Sequence, residues 1–159
     1  MQAIELDAGV RFAEIGMQSI AEAEPAPPDV LSPPIDEGRA WMAADHDGTS
    51  LGYLFASIVD GHGHIDQVST TIAAAGRGVG RDLIETAVEW ARAQGSAAVT
   101  LTTFRDVAFN APLYERYGFA EMGPHDLGAE LAAIRQGEIA DGLDVSPRVA
   151  MIRHVASPA

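Results

Sequence analysis

The sequence predicts an α/β (α+β) fold, a mixed and largely antiparallel sheet flanked by helices, on three observations. Segments with the helical period alternate with short runs rich in β-branched residues, the order of a layered sheet and its helices. The first three extended runs are joined by an Asp-Gly pair and a Gly-rich turn, which are hairpin signals. The later runs are separated by helical segments, so the sheet is mixed. At 159 residues, with 47% hydrophobic and 21% charged residues, the chain has the length and composition of one domain with its own core, expected to span 1–159.

From Ala8 to Glu24, apolar residues recur at helical spacing (Val10, Ala13, Met17, Ile20), with Asp7 placed as a cap. EPAPPDVLSPP then holds five of the nine prolines. It reads as an ordered loop or short extended segment, because proline removes donors that helix interiors and central strands require. RAWMAADHDGTSLGYLFASIVDG reads as two strands turned at His46-Asp47-Gly48, and HIDQVSTT as a third strand after the turn at Gly61–Gly63. Residues 79 to 94 carry Leu83, Ile84, Ala87, Val88 and Ala91 on one helical stripe, and Gly95 stops that helix. SAAVTLTTF is a strand short enough to be buried on both faces. NAPLYERYGF opens a helix with Pro112 in the first turn after Asn110 and closes it at Gly118. FAEMG reads as a short strand, residues 127 to 139 as a helix, and RVAMIRHV as the final strand.

Composition narrows the chemistry. With no cysteine, disulfides, thiolate metal sites and a cysteine nucleophile are excluded. A net charge of −13 points away from nucleic acid and from anionic membranes, which reward basic surfaces. The chain opens without a basic-then-apolar leader and has no run of about 18 apolar residues, so a cytoplasmic setting is expected. All ten basic residues are arginines. An anionic ligand must therefore be held by arginines, backbone amides or helix ends, while an acidic surface draws amines towards it.

The stretch AAAGRGVGRDL, residues 73 to 83, follows a strand and opens a helix. A helix start offers unpaired N–H groups and a positive dipole end, and missing side chains let a phosphate approach them. The dinucleotide fingerprint fails, because Gly78 and Gly80 would need a third glycine where Leu83 stands, and SAAVTLTTF lacks an acid for a ribose. The P-loop fails as well, because the chain contains no lysine.

Taken in order, QVSTT, AGRGVG, DLIETAVEWARAQG, AVTLTTF and NAPLYERYGF resemble the GNAT superfamily of acyl-CoA-dependent N-acetyltransferases, most fully over residues 62 to 123. The resemblance implies a transfer of acetyl from acetyl-CoA, as co-substrate, to a primary amine by direct attack in a ternary complex. It places the backbone of Gly76, Arg77, Gly78, Val79, Gly80 and Arg81 around the pyrophosphate of coenzyme A, with Arg77 and Arg81 adding charge. It pairs the backbone of Val68, Ser69 and Thr70 with the pantetheine arm, with the Val68 amide on the thioester carbonyl. Tyr114 corresponds to the residue that protonates the departing thiolate. The chain departs from the family pattern at three points: Ala75 stands where glutamine or arginine begins the loop, Val107 stands where many members carry asparagine, and the frequent glutamate base has no direct match. Asn110 is the candidate replacement for that asparagine.

Candidates for the base are Asp66, acting through water, and His64; Glu121 and His125 follow them. His62, His64 and Asp66 alternate along one strand approach, and two histidines so close to a turn are expected to face solvent, with no metal implied. Trp41, Tyr53 and Phe55 are core residues or the lining of an acceptor pocket shared with the Pro-rich segment and residues 121–128. The acceptor is a small-molecule or peptide amine, and the resemblance allows a homodimer through an exposed sheet edge. A second reading, acyl-CoA binding without turnover as a sensor or complex subunit, rests on Ala75 and Val107.

Overall fold

The computed structural model describes residues 1–155. Three helices open the chain: α1 (Gln2–Glu14), α2 (Gln18–Ala21) and α3 (Pro28–Asp36). Then come β1 (Ala40–Ala44), β2 (Ser50–Val59), β3 (His62–Thr70), a short 3-10 helix (Ile72–Ala74) and α4 (Val79–Ala93). The remainder is β4 (Ala98–Phe104), α5 (Ala111–Arg116), β5 (Ala120–Glu121), α6 (Ala129–Ala140) and β6 (Arg148–His154). The six strands form one sheet in the order β1-β2-β3-β4-β6-β5. β1 pairs antiparallel with β2, β6 pairs antiparallel with β4 and β5, and β3 meets β4 in parallel at Gly63↔Val99 and His64↔Thr100. This is the mixed sheet flanked by helices that the alternation of periods predicts.

Two compact units divide the chain, Met1–Ser57 with Asp66–Ala87, and Ile58–Ile65 with Val88 onward. In the first, Ile4, Leu31, Tyr53 and Phe55 form a buried cluster. Tyr53 and Phe55 are thus core residues, stacked with ring centroids 6.3 Å apart, and the alternative of a pocket lining falls away for both. The turn between β1 and β2 closes as its Asp-Gly pair requires, with Asp45 N–H donating to Thr49 O at 2.8 Å and Gly48 N–H to Asp45 O at 2.9 Å.

Two expectations fail in this unit. The helix from Ala8 to Glu24 is instead two pieces that start earlier, broken around Gly16, and Val10 is exposed while Ile4 enters the core. Asp7 therefore lies inside α1 and does not cap it. The Pro-rich stretch is also not a loop, since α3 contains Pro28, Pro33 and Pro34. Pro28 stands in the first turn, where its missing donor costs nothing. Pro33 and Pro34 leave the carbonyls of Asp29 and Val30 without helical donors, but both residues are exposed and water can serve them. Leu31 and Pro34, three apart, bury the inner face.

In the second unit α4 carries Val88 and Ala91, both buried, as their stripe requires. A Cβ added at Gly63 would lie 2.6 Å from Ala91 Cβ, so helix and strand approach at a distance only glycine permits. α6 is held at its start by Asp60, whose carboxylate accepts from Glu130 N–H at 3.0 Å and Leu131 N–H at 2.9 Å. Further along, Glu138 bonds Arg135, Arg148 at 3.1 Å and the Thr102 hydroxyl, tying α6 to β4 and β6. Among the described residues no helix is long and apolar enough to cross a membrane.

Candidate active site

The chain leaves β3 at Thr70, makes the 3-10 turn over Ile72–Ala74, and enters α4 through Ala75–Gly78. Gly76 and Gly78 have φ of +72° and +81°, and a Cβ on either would meet nothing within 4 Å. Backbone conformation, not crowding, demands glycine there, because other residues occupy this left-handed region at a cost of about 1–2 kcal/mol. Gly80 differs: its φ is ordinary, and an added Cβ would touch only Thr70 Cγ2 at 3.6 Å. Val79, Gly80 and Arg81 occupy the first turn of α4, where N–H groups have no partner within the helix. Open space over two left-handed glycines, followed by a helix start, fits an anionic group. Arg77 and Arg81 are exposed beside it. Arg77 Nη2 donates to Asp45 Oδ2 at 2.9 Å, a surface pair of small worth that a polyanion can displace. That arginine, with His46 beside it, holds the Asp45 carboxyl down at about 2.

Alternation along β3 breaks where the sequence gives no sign of it. Ser57 Oγ donates to Asp66 Oδ1 at 2.9 Å. The next residue, Gln67, donates from Nε2 to Ser69 Oγ at 3.0 Å, and both Gln67 and Ser69 hydrogen-bond the Tyr53 phenol. Tyr53 and Ser57, four apart on β2, share a face. Consecutive residues Asp66 and Gln67 thus reach the same face of β2, as they do at a bulge, a feature that re-aims side chains beside active sites. Val68 is half-buried, Ser69 buried and Thr70 half-buried just beyond it.

Asp66 is solvent-exposed, yet its carboxyl is pushed up to about 6. Desolvation by surrounding protein is the main cause, and it outweighs the Ser57 hydrogen bond and the charge of Arg39, which act the other way. The carboxylate is thus accessible and still poorly solvated. Near neutral pH it can exchange a proton, which an ordinary aspartate cannot do efficiently.

His64 is not at the surface. It is 3% exposed, and Nδ1 lies 2.9 Å from Thr100 Oγ1. Thr100 Oγ1 donates in turn to Gly63 O at 3.4 Å, which makes the histidine Nδ1–H the donor of the pair. Burial lowers its pKa to about 4, against a smaller opposing effect of Glu138. The expectation that both histidines face solvent is corrected here. His62 is half-buried as well, with Nδ1 buried and unpartnered. The β3–β4 pairing places His64 opposite Thr100.

Tyr114 is half-buried on α5, edge-on to Phe119 with centroids 6.1 Å apart. Its phenol is pushed up to about 12 by burial first and by Tyr117 second, while Arg148 lowers it. The hydroxyl therefore keeps its proton across the neutral range. Asn110 precedes α5, takes Leu113 N–H and Tyr114 N–H on its carbonyl at 2.8 and 3.0 Å, and turns its side-chain Nδ2 to Phe109 O at 3.0 Å. Val107 is buried. Glu121 is engaged by Arg105 Nη2 at 2.5 Å, and His125 is exposed. Spacing pointed to none of Ser57, Arg39 and Glu5, the partners that set the polarity around Asp66 and Tyr53. Their only signal is a long-range contact.

A family model described as the acetyltransferase (GNAT) family matches residues 11–119. Among solved structures, nourseothricin acetyltransferase is 24% identical over 74% of this chain, with a TM-score of 0.54, and the match covers 65% of that protein, less than two thirds of its length. An acetyltransferase of the GNAT family from Staphylococcus aureus Mu50 is 13% identical over 98% of this chain and 92% of its own, with a TM-score of 0.67. N-acetylglutamate synthase from Neisseria gonorrhoeae, complexed with coenzyme A and N-acetyl-glutamate, is 15% identical over 97% of this chain and 32% of its own, with a TM-score of 0.70. At these identities the likeness is one of fold.

Proposed function

This chain belongs to the acetyltransferase (GNAT) family, and we propose that it moves an acetyl group from acetyl-CoA to a primary amine by direct attack, with both substrates held at once. The observation that carries this reading is the loop from Ala75 to Gly80, whose left-handed glycines lead straight into the first turn of α4. When bound, acetyl-CoA supplies an acetyl group on a thioester, and the chain supplies position and proton handling. The amides of Gly76, Gly78, Val79, Gly80 and Arg81 and the guanidinium groups of Arg77 and Arg81 hold the pyrophosphate, while the Arg77 amide, expected in the same cradle, already donates to Ala74 O at 3.2 Å. The backbone of Val68, Ser69 and Thr70 holds the pantetheine arm, and the Val68 amide polarises the thioester carbonyl.

Asp66 takes the proton that the attacking ammonium must lose, directly or through water. Its raised pKa brings it close to working pH, while the buried His64 is too weak a base and too enclosed to compete. Tyr114 returns a proton to the sulfur. With no cysteine in the chain, no thiol intermediate on the enzyme is available, which supports direct attack. Holding two substrates together contributes much of the rate by proximity.

Thiol release from acetyl-CoA, followed against a panel of polyamines, aminoglycosides, amino acids and peptide amines, tests the reading. Turnover with at least one amine, and a product heavier by one acetyl group, is the expected result. Coenzyme A binding without turnover on any amine would make the chain a sensor instead, and no binding at millimolar coenzyme A would remove the cofactor.

A further inference from the structure

Helix α1 lies outside the stretch that carries the family motifs, yet its side chains reach the end of β3 from one side. Asp7 Oδ2 accepts the Ile72 N–H at 2.6 Å, and Arg11 Nη2 donates to Thr71 O at 3.2 Å. The two side chains are four residues apart and share a helix face with Ile4, which is buried in the core and fixes that face inward. They therefore grip both polar groups of a single peptide unit. Thr71 is held further by its own N–H, which donates to Leu51 O at 2.9 Å, and by Ala74 N–H, which donates to the Thr71 carbonyl at 3.0 Å. Its hydroxyl is buried without a partner, so the residue is held through its backbone alone. Two residues before Asp7, Glu5 Oε2 accepts from the Tyr53 phenol at 3.0 Å, and that phenol bonds Gln67 and Ser69. Side chains of α1 thus act on this stretch directly at Thr71 and Ile72, and through Tyr53 at Gln67 and Ser69.

We propose that Asp7 and Arg11 are positioning residues for coenzyme A: by fixing the peptide unit between Thr71 and Ile72, they set where the glycine loop begins. Gly76 follows Ile72 by four positions, and the loop then passes through two left-handed glycines at which a Cβ would meet nothing within 4 Å. Within it Ala75 N–H donates to Ile72 O at 3.0 Å and Arg77 N–H to Ala74 O at 3.2 Å, so the loop hangs on the peptide units at its entry, and its glycines lose more freedom on ordering than any other residue. Its entry point must be held from outside, and the charged pair on α1 holds it. This inference rests on the acetyl-CoA reading above.

Calorimetric titration of coenzyme A into the wild-type chain, Asp7→Ala and Asp7→Asn, with thermal melts of each, tests the proposal. Asp7→Ala removes the acceptor for Ile72 N–H, whereas the amide oxygen of Asp7→Asn still accepts it. The expected result is an affinity loss of about tenfold in Asp7→Ala, the worth of one charge-assisted hydrogen bond. Recovery to within about threefold in Asp7→Asn is expected, along with a rise in the acetyl-CoA KM that leaves the amine KM unchanged. Equal affinity in wild type and Asp7→Ala overturns the proposal, as does an equal loss in Asp7→Asn and Asp7→Ala. If wild type itself fails to bind, the cofactor reading falls and takes the proposal with it, an outcome distinct from the other two. Should Asp7→Ala not fold, Arg11→Met keeps the aliphatic stem and removes the donor to Thr71 O, with Arg11→Lys as the rescue and the same outcomes deciding.

Discussion

Replacing His64 tests the reading of the buried end of β3. In the unfolded chain this imidazole titrates near 6.5, and in the fold near 4, because burial disfavours its charged form. A depressed folded pKa means that the unfolded state binds the proton more readily. Stability is therefore full above about pH 6.5, falls as pH drops below it, and levels off below about 4. The difference of about 2.5 pH units corresponds to about 3 kcal/mol once fully developed, and to about 2 kcal/mol at pH 5. For a chain of this size, that is a fall of roughly 4–8 °C in melting temperature between pH 8 and pH 5.

His64→Asn isolates this effect, since its amide N–H can still donate to Thr100 Oγ1 while carrying no titratable group. Its absolute stability will be lower, because part of a buried ring is gone. What matters is the slope. Between pH 8 and pH 5 the variant should lose roughly 4–8 °C less than the parent, and the parent's own His64 resonances should stay neutral at pH 5 by NMR. Parallel pH dependences, or a His64 that titrates near 6.5, would refute the argument that this ring is enclosed and neutral.

Three further outcomes follow from the site. Asp66→Asn should lower kcat/KM by about a hundredfold and abolish a limb of the pH profile rising through about 6, read from initial rates between pH 5 and 9. Tyr114→Phe should cut kcat by roughly a hundredfold while the acetyl-CoA KM holds, because the ring stays against Phe119 and only the proton donor is lost. Gly80→Ala should raise the melting temperature slightly, since helix propensity favours alanine by up to about 1 kcal/mol and its Cβ meets only Thr70 at an ordinary distance. The same methyl should weaken coenzyme A binding in calorimetry, and unchanged affinity would remove Gly80 from the anion cradle.

Local signals were read well wherever local physics decides the outcome. The stripe Leu83, Ile84, Ala87, Val88, Ala91 is buried throughout, and the Asp-Gly turn closes where it stands. The glycine loop was legible because a left-handed backbone leaves its mark in residue type. The prolines of α3 argue against a helix by the rule for helix interiors, but this helix has nine residues, and Asp29 and Val30, whose carbonyls lose their donors, are exposed. The position of Asp7 was missed for a different reason. Its role is a hydrogen bond to Ile72, 65 residues away, and no periodicity records that. The break in alternation at Asp66–Gln67 escaped as well, because it exists only relative to Ser57 and Tyr53 on the neighbouring strand.

The sequence offers two base candidates only two positions apart, Asp66 first and His64 second, and residue type alone favours His64. Histidine is the side chain whose ordinary pKa lies closest to neutrality, so by type His64 is the better base. The fold inverts the order. Enclosure takes the histidine from 6.5 down to about 4, and partial desolvation takes the aspartate from 3.8 up to about 6. Both shifts have one physical cause, the cost of an ion in poorly solvated surroundings, acting on groups of opposite charge type. What separates the residues functionally is access: the histidine ring is sealed against Thr100, while the carboxylate stays open to solvent and is steadied by Ser57. A base must be accessible as well as correctly tuned, and on that ground the proposed mechanism gives the role to Asp66.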